Sequence, residues 1–218
     1  FALTNGKVLT YFINSVLVTA ATILLVLILS TMSAYAITRM KWKLSKASLN
    51  LILLGLMVPI HAALLPLFVV LRNLKMLNSY WALIIPYVAF GIPFAVLILT
   101  SFFSTIPREL EEAAVIDGCG IYRTYFLIIL PQVRSGIATV AIFTYLSSWN
   151  ELMFAVTFIN NQEFQTLTVG MMSMVGTYIT QWGVVGAGLM IATIPTLIIY
   201  LLFSRQVQES MIAGAIKG

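Results

Sequence analysis

Residues 112–118 of this chain read EAAVIDG, and residues 128–131 read IILP. Both motifs lie in residues 104–134, the longest polar interruption of an otherwise very apolar sequence. Apolar stretches long enough to cross a membrane flank this segment on each side. A charged segment of this length between two spans reaches the aqueous phase, where it is placed to contact a soluble partner.

The composition excludes an ordinary soluble protein. Of the 218 residues, 61% are hydrophobic and 9% are charged, and the mean hydropathy is +1.01, whereas soluble domains carry about 25% charged residues. A membrane-spanning helix needs about 20 apolar residues. Five segments reach this length, at residues 12–37, 48–71, 80–103, 135–158 and 182–204. Because an alternation of period two is absent, we predict an all-α integral membrane protein that forms a single domain over residues 1–218.

The distribution of basic residues predicts how the chain is oriented in the membrane, since cytoplasmic loops are enriched in Lys and Arg. Nine basic residues fall on one side of the predicted spans: Arg39, Lys41, Lys43, Lys46, Arg108, Arg123, Arg134, Arg205 and Lys217. Three fall on the other side: Lys7, Arg72 and Lys75. We therefore expect residues 1–11 and the loop at 159–181 outside, and the segment 104–134 and the C-terminus in the cytoplasm. The net charge of +5 follows this topology and indicates no nucleic-acid partner.

The pattern of residues in the segment 104–134 predicts two short helices joined by a glycine. Pro107 suits a first helical turn. Three acidic residues follow, where the positive end of a helix dipole favours them: Glu109, Glu111 and Glu112. Gly118 can adopt the left-handed conformation that ends a helix. A second short helix is expected over residues 121–130, closed by Pro131.

The first of these helices has a narrow apolar face made of Leu110, Ala113 and Ala114. Small apolar residues on a solvent-facing helix indicate a partner surface. An ordinary solvated loop with capped helices is the alternative, and the residues alone leave both interpretations open.

The whole segment resembles the EAA loop of ABC-importer permeases. That signature is Glu-Ala-Ala, three residues, Gly, nine residues and Ile-x-Leu-Pro, and residues 112–131 match it position by position. Other stretches resemble the carbohydrate branch of the family, and in particular the smaller permease subunit of maltose-type importers: Asn14-Ser15, Tyr35-Ala36 with Arg39, Pro59 with Pro66-Leu67, Trp149-Asn150-Glu151 and 213–218. The resemblance covers nearly the whole chain. Because this subunit usually has six spans, the resemblance implies a further span before Phe1.

The resemblance implies a type I ABC-importer permease fold with a cytoplasmic coupling helix, and a role in sugar uptake by alternating access. It implies that six residues couple the chain to an ATPase: Glu111, Glu112, Ala113, Ala114, Asp117 and Gly118. The implied partners are a second homologous permease, a dimer of ATPase subunits, an extracytoplasmic sugar-binding protein and membrane lipid. The implied location is the cytoplasmic membrane of a prokaryote.

No sequence motif for catalysis or for binding a cofactor was found. The chain lacks a GxxxxGK[ST] phosphate loop, so ATP and Mg²⁺ are expected on the partner ATPase. It also lacks HExxH, GxSxG and a paired cysteine–histidine set, so we expect no metal site and no catalytic residue. We expect a transport subunit rather than an enzyme.

Three other functions compete with a sugar permease. An amino-acid or peptide ABC permease fits the EAA core, although the C-terminal tail and residues 149–151 fit it less well. A secondary transporter driven by an ion gradient would predict inverted repeats and more charged groups at the midplane. A structural membrane scaffold would not need the glycine-hinged cytoplasmic segment.

A few polar residues inside the predicted spans are candidates for the substrate path, because charged groups at that depth are costly. Glu151, with Trp149 and Asn150, either lines a path for sugar or makes hydrogen bonds between helices, and the sequence leaves both open. His61 lies between two prolines, and the favoured interpretation is a neutral imidazole that donates to a carbonyl freed by proline. Asn14 is either a cap or a lining group.

The loop at 159–181 contains three methionines, Met171, Met172 and Met174, which suit an adaptable contact surface. The resemblance implies that this side faces the binding protein. A loop that packs back on its own subunit is the alternative.

Overall fold

A computed structural model of the protein describes residues 7–175 and 182–215. Within these ranges the regular structure is entirely helical, as the sequence predicts, and the α-helices are α1 (Val8–Thr38), α2 (Ser45–Leu54), α3 (Leu64–Asn73), α4 (Trp81–Ser104), α5 (Glu109–Ile116), α6 (Ile121–Arg123), α7 (Arg134–Trp149), α8 (Met153–Phe158), α9 (Leu167–Ser173) and α10 (Trp182–Ala215). The N-terminal residues 1–6, the end of the predicted loop at 176–181 and the predicted tail residues 216–218 lie outside the described residues.

Three helices in the described part of the chain are long and apolar enough to cross a membrane. They are Val8–Thr38, Trp81–Ser104 and the longer helix Ile121–Trp149, which includes α6 and α7. The first two match the predicted spans 12–37 and 80–103 closely. Helix α10 is also continuous over 34 residues and contains the predicted span 182–204.

The predicted span at 48–71 is not a single helix. Helix α2 tightens into a 3₁₀ turn over Gly55–Met57, and α3 begins only at Leu64. Val58 between them is extended, with φ −78° and ψ 114°. The cause is Pro59, because the proline ring disfavours a helical conformation in the residue before it.

The prediction that Pro131 closes a short helix is wrong. The chain continues from α6 through a π-helical turn over Thr124–Ile129 and a 3₁₀ turn over Leu130–Val133 into α7. A wide turn followed by a tight one changes the helical pitch, which accommodates the missing proline N–H without ending the helix. The predicted span at 135–158 also differs, because the helix stops at Trp149 and α8 follows after a short break.

The core lies where α1 packs lengthwise against α4 and α7. Large side chains with almost no exposure fill it: Leu83, Leu99, Phe103, Ile129, Phe154 and Phe158. The buried face of α1 also carries polar residues: Asn14, Ser15, Thr19, Thr22, Ser30 and Thr31. Small polar residues of this kind let membrane helices approach closely and bond to each other. Helix α10 packs on α7 at the periphery of this bundle.

Candidate functional site

Helix α5 ends as its sequence predicts, but Pro107 lies before the N-cap Arg108 and not in the first turn as expected. Its first turn carries Glu109, Glu111 and Glu112. At its end Gly118 has a φ of 75°, which confirms the predicted left-handed conformation. The N–H of Cys119 donates to the carbonyl of Ala114 (2.8 Å), and the N–H of Gly118 donates to the carbonyl of Val115 (3.0 Å). These two bonds satisfy the last carbonyls of the helix and fix its exit.

One face of α5 is turned toward the rest of the chain. Ala114 is 2% exposed and packs inside the protein. Glu111 lies on the same side, where one carboxylate oxygen accepts a hydrogen bond from Nε of Arg39 at 3.1 Å. The expectation that Ala114 belongs to a docking surface is therefore corrected, because this small residue lets α5 approach its own chain.

The opposite face of α5 is free within the described chain. With 3.6 residues per turn, Glu109, Glu112, Ala113 and Ile116 point away from the side that holds Glu111 and Ala114. All four are exposed. Ile116 is the most exposed large apolar residue there, at 85%. Asp117, at the helix end, is also exposed.

The sequence prediction missed Ile116, and two apolar residues near it are also exposed, one in α5 and one in α6. Val115 is 69% exposed, and Tyr122, just beyond the glycine turn, is 77% exposed. The signal in the sequence was a pair of large aliphatic residues at the end of the helix, separated by one residue from the glycine that follows it. The sequence prediction placed the apolar contact face on the small alanines instead of on this pair.

Glu151 sits at the break between α7 and α8, and its carboxylate accepts three hydrogen bonds. One oxygen accepts from the N–H of Phe154 (2.8 Å), and the other accepts from the N–H of Ala155 (3.1 Å) and the hydroxyl of Tyr87 (2.7 Å). Two of the donors are free N–H groups of the first turn of α8, so the carboxylate caps that helix. Of the two alternatives left open for Glu151, this geometry favours packing.

Trp149 also packs inside the chain, whereas Asn150 remains accessible. The indole N–H of Trp149 donates to the carbonyl of Ala192 in α10 (3.2 Å), and its ring stacks on Tyr145 with 5.5 Å between centroids. Asn150 is exposed and donates to the carbonyl of Leu146 one turn earlier. Both residues line a cavity of 440 Å³ that three hydroxyl side chains also border: Thr168, Thr193 and Thr196.

Asn14 fixes the predicted outer loop to the helix bundle. Its side-chain amide donates to the carbonyls of Glu163 (2.8 Å) and Gln165 (2.9 Å), and its carbonyl accepts from the hydroxyl of Tyr80 (2.8 Å). The neighbouring Ser15 hydroxyl accepts from the N–H of Leu167 (2.8 Å). Asn14 is 2% exposed, and these bonds give it a structural role. The first part of the loop thus packs back on its own subunit.

His61 lies in the non-helical stretch between α2 and α3, and its side chain is exposed. Its imidazole makes no hydrogen bond to another described residue. The structure therefore does not show the predicted bond from His61 to a backbone carbonyl freed by proline. The stretch from Met57 to His61 is exposed throughout, and the backbone N–H groups of Ile60 and His61 have no partner within the described residues.

Residues 26–212 match the family described as binding-protein-dependent transport system inner membrane component. Over 214 residues the chain is 38% identical to a probable ABC transporter permease protein of Bacillus subtilis, covering 98% of this chain and 71% of that protein. It is 35% identical to a diacetylchitobiose uptake system permease protein of Streptomyces coelicolor, covering 99% of this chain and 72% of that protein. It is also 35% identical to a trehalose/maltose transport system permease protein of Thermococcus litoralis, covering 95% of this chain and 75% of that protein.

One solved structure with a similar fold is that of a bacterial ABC transporter involved in the import of the acidic polysaccharide alginate. The TM-score is 0.82 at 21% identity, covering 94% of this chain and 76% of that one. This likeness concerns the helical architecture alone.

Proposed function

Because this chain belongs to the family of binding-protein-dependent transport system inner membrane components, we propose that it forms half of the translocation path of an ATP-driven sugar importer. Proteins of this family are transport subunits rather than enzymes. Two relatives at 35% identity are named for uptake of diacetylchitobiose and of trehalose or maltose. They support an oligosaccharide as the substrate and favour it over the amino-acid or peptide alternative.

The partners follow in general from the family, since a binding-protein-dependent system includes a second permease, an ATPase and a substrate-binding protein. In this proposal the second permease is homologous, the ATPase is a dimer that holds ATP and Mg²⁺, and the binding protein delivers sugar from outside. The chain is an inner-membrane component. The orientation with a cytoplasmic C-terminus is part of the proposal and is supported by the distribution of basic residues.

The observation that carries the proposal is the outward face of α5. Ile116 exposes 85% of its surface on a short charged helix, opposite the face that holds Glu111 and Ala114. Tyr122, just beyond the glycine turn, is also exposed, and exposed apolar residues grouped within a polar segment support an interaction surface there. Glu112 and Ala113 flank Ile116, which leaves room for close approach and offers a carboxylate to a basic residue. The ATPase is the partner that the coupling role demands.

The break between α2 and α3 supports a position for the path. Non-helical backbone at membrane depth is tolerated only where protein or a water-filled cavity covers it. The exposed stretch around His61 therefore faces the second permease and the path between the two subunits. Asn150, with the three threonines of its cavity, is the other polar surface that remains available to a sugar.

Substitution of Ile116 by Ala tests the docking face. Burying such a side chain at an interface contributes about 1.5–3 kcal/mol, and a loss of about 1.4 kcal/mol weakens binding tenfold. We expect Ile116→Ala to reduce the ATPase retained on the affinity-purified permease pair by roughly tenfold or more, while the two permeases still copurify.

Val115→Ala is the matched control. Val115 is exposed on the same helix but lies to the side of the outward face, so its truncation should leave ATPase retention close to the parent level. Equal retention of the ATPase by Ile116→Ala and the parent complex would contradict docking through this face.

A further inference from the structure

The guanidinium of Arg39 joins three elements at the predicted cytoplasmic end of the bundle. Its side chain is 4% exposed and extends from the end of α1. Nε donates to the carboxylate of Glu111 in α5 at 3.1 Å. The two terminal nitrogens donate to the carbonyls of Ile106 (2.8 Å) and Pro107 (3.2 Å), just beyond α4. One side chain thus contacts the ends of two long helices and the helix of the docking face.

This arrangement needs an arginine. A guanidinium is charged at all pH values of interest and presents five donors in a rigid planar fork. Here the fork serves a carboxylate and three carbonyls, the third being that of Phe103 at 3.5 Å, which the compact ammonium of lysine cannot do at the same time. The carbonyl of Phe103 lies in the last turn of α4, where the negative end of the helix dipole favours a cation.

An aromatic cluster beside Arg39 connects α1 and α4 with the π-helical turn. The ring of Tyr35 lies 6.1 Å from that of Phe103 in α4 and 5.0 Å from that of Tyr125 in the π-helical turn, measured between centroids. The hydroxyl of Tyr125 donates to that of Thr31 in α1 at 2.8 Å. The long helices are therefore held together at this end by packing, and α5 also packs against the π-helical turn. Among the described residues, the side-chain hydrogen bond that joins α5 to α1 is the one from Arg39 to Glu111.

We propose that Arg39 is a positioning residue that makes α5 move as one unit with the inner ends of α1 and α4. A displacement of the docked helix then reaches two membrane spans at once, rather than being absorbed in the connection at residues 105–108. The inference rests on the proposed coupling to an ATPase and adds the residue that transmits it.

A spin-label distance in the assembled complex tests this unit directly. Cys119→Ser removes the native thiol, and nitroxides are then placed at Leu24→Cys on the exposed side of α1 and Leu110→Cys on the side of α5. Pulsed electron resonance measures their separation without nucleotide and with ATP plus EDTA. We expect one unchanged distance in the parent, and in Arg39→Ala a broadened distance that shifts on addition of ATP while the ATPase stays bound.

Two further variants and a control test whether the shift depends on the contact between Arg39 and Glu111. Glu111→Ala leaves the carbonyl partners of Arg39 in place, so this variant should fold. It should show the same ATP-dependent shift in the spin-label distance as Arg39→Ala, and it can be measured even if Arg39→Ala does not assemble. Arg39→Lys should give an intermediate result because it keeps the charge and loses the fork. Arg108→Ala removes an exposed arginine beside α5 and should match the parent.

The results separate this proposal from the function on which it rests. A parent complex that retains no ATPase would overturn the proposed function. Suppose instead that the parent complex retains the ATPase, and that the spin-label distance in Glu111→Ala and Arg39→Ala is as narrow and as insensitive to ATP as in the parent. That result would overturn only the role of Arg39. A distance that changes with ATP in the parent itself would show that α5 and α1 do not form one unit.

Discussion

The carboxylate of Glu151 accepts bonds from Tyr87, Phe154 and Ala155, so its removal leaves donors unpaired at the start of α8. An unsatisfied buried donor costs about 1–3 kcal/mol. We expect Glu151→Ala to lower the unfolding temperature of the purified complex in detergent, and Glu151→Gln to lower it less because one oxygen still accepts. Asn150→Ala, which removes only a bond from the end of α7 back to Leu146, is the control and should change this temperature little. An unfolding temperature unaltered in Glu151→Ala would contradict the capping role.

At the scale of single residues, the sequence identified the positions that matter more reliably than their roles. Glu151 and Asn14 were singled out because ionised or amide groups inside a span are costly. Their partners lie far along the chain, as Tyr80 and Glu163 do for Asn14, and no local pattern reveals them. Ile116 was missed because an aliphatic residue in a helix is ordinarily buried, and only the fold shows which side of α5 is covered.

At the scale of elements, the end of α5 allows a clean test of backbone conformation. A β-carbon on Gly118 would meet no atom within 4 Å, so only its φ of 75° opposes substitution. The left-handed region costs residues with a side chain about 1–2 kcal/mol. We expect Gly118→Val to misdirect the chain into α6 and to reduce ATPase retention, with membrane insertion intact.

Gly120→Val is the matched control, because Gly120 is equally open but has an ordinary φ of −74°. It should retain the ATPase as the parent does. If Gly118→Val binds the ATPase as well as Gly120→Val, the left-handed turn is not required for docking.

The prolines show why element boundaries were only partly predictable. Pro86 and Pro93 lie inside an unbroken α4, and Pro131 lies inside the helix that leads into α7, whereas Pro59 accompanies a full break. Each proline removes one donor, and the sequence shows this loss. Whether the helix continues depends on the pitch that neighbouring turns and packed helices allow, which the sequence does not show.

For the whole molecule, the helical class and the permease fold followed from hydropathy and from the EAA signature, because both are carried by contiguous residues. The arrangement of α1 against α4 and α7 depends on contacts between distant residues and came only from the structure.

The orientation of the whole chain is testable by thiol labelling. In a Cys119→Ser background, Ser210→Cys should react with a membrane-impermeant maleimide only after the membrane is opened, because the distribution of basic residues predicts a cytoplasmic C-terminus. Glu163→Cys, in the outer loop, should react in intact cells and serves as the control. Labelling of Ser210→Cys from outside intact cells would reverse the proposed topology.

The polar face of α1 has a consequence for biogenesis. This helix enters the membrane before the segments that will cover it have been synthesised, and the partners of Asn14 at Tyr80, Glu163 and Gln165 emerge only later. The helix is long and apolar enough to cross the membrane, but the side-chain amide of Asn14 then lacks these partners. The nascent chain therefore passes through a stage in which α1 is inserted but not yet in its final environment, and synthesis of the outer loop ends that stage.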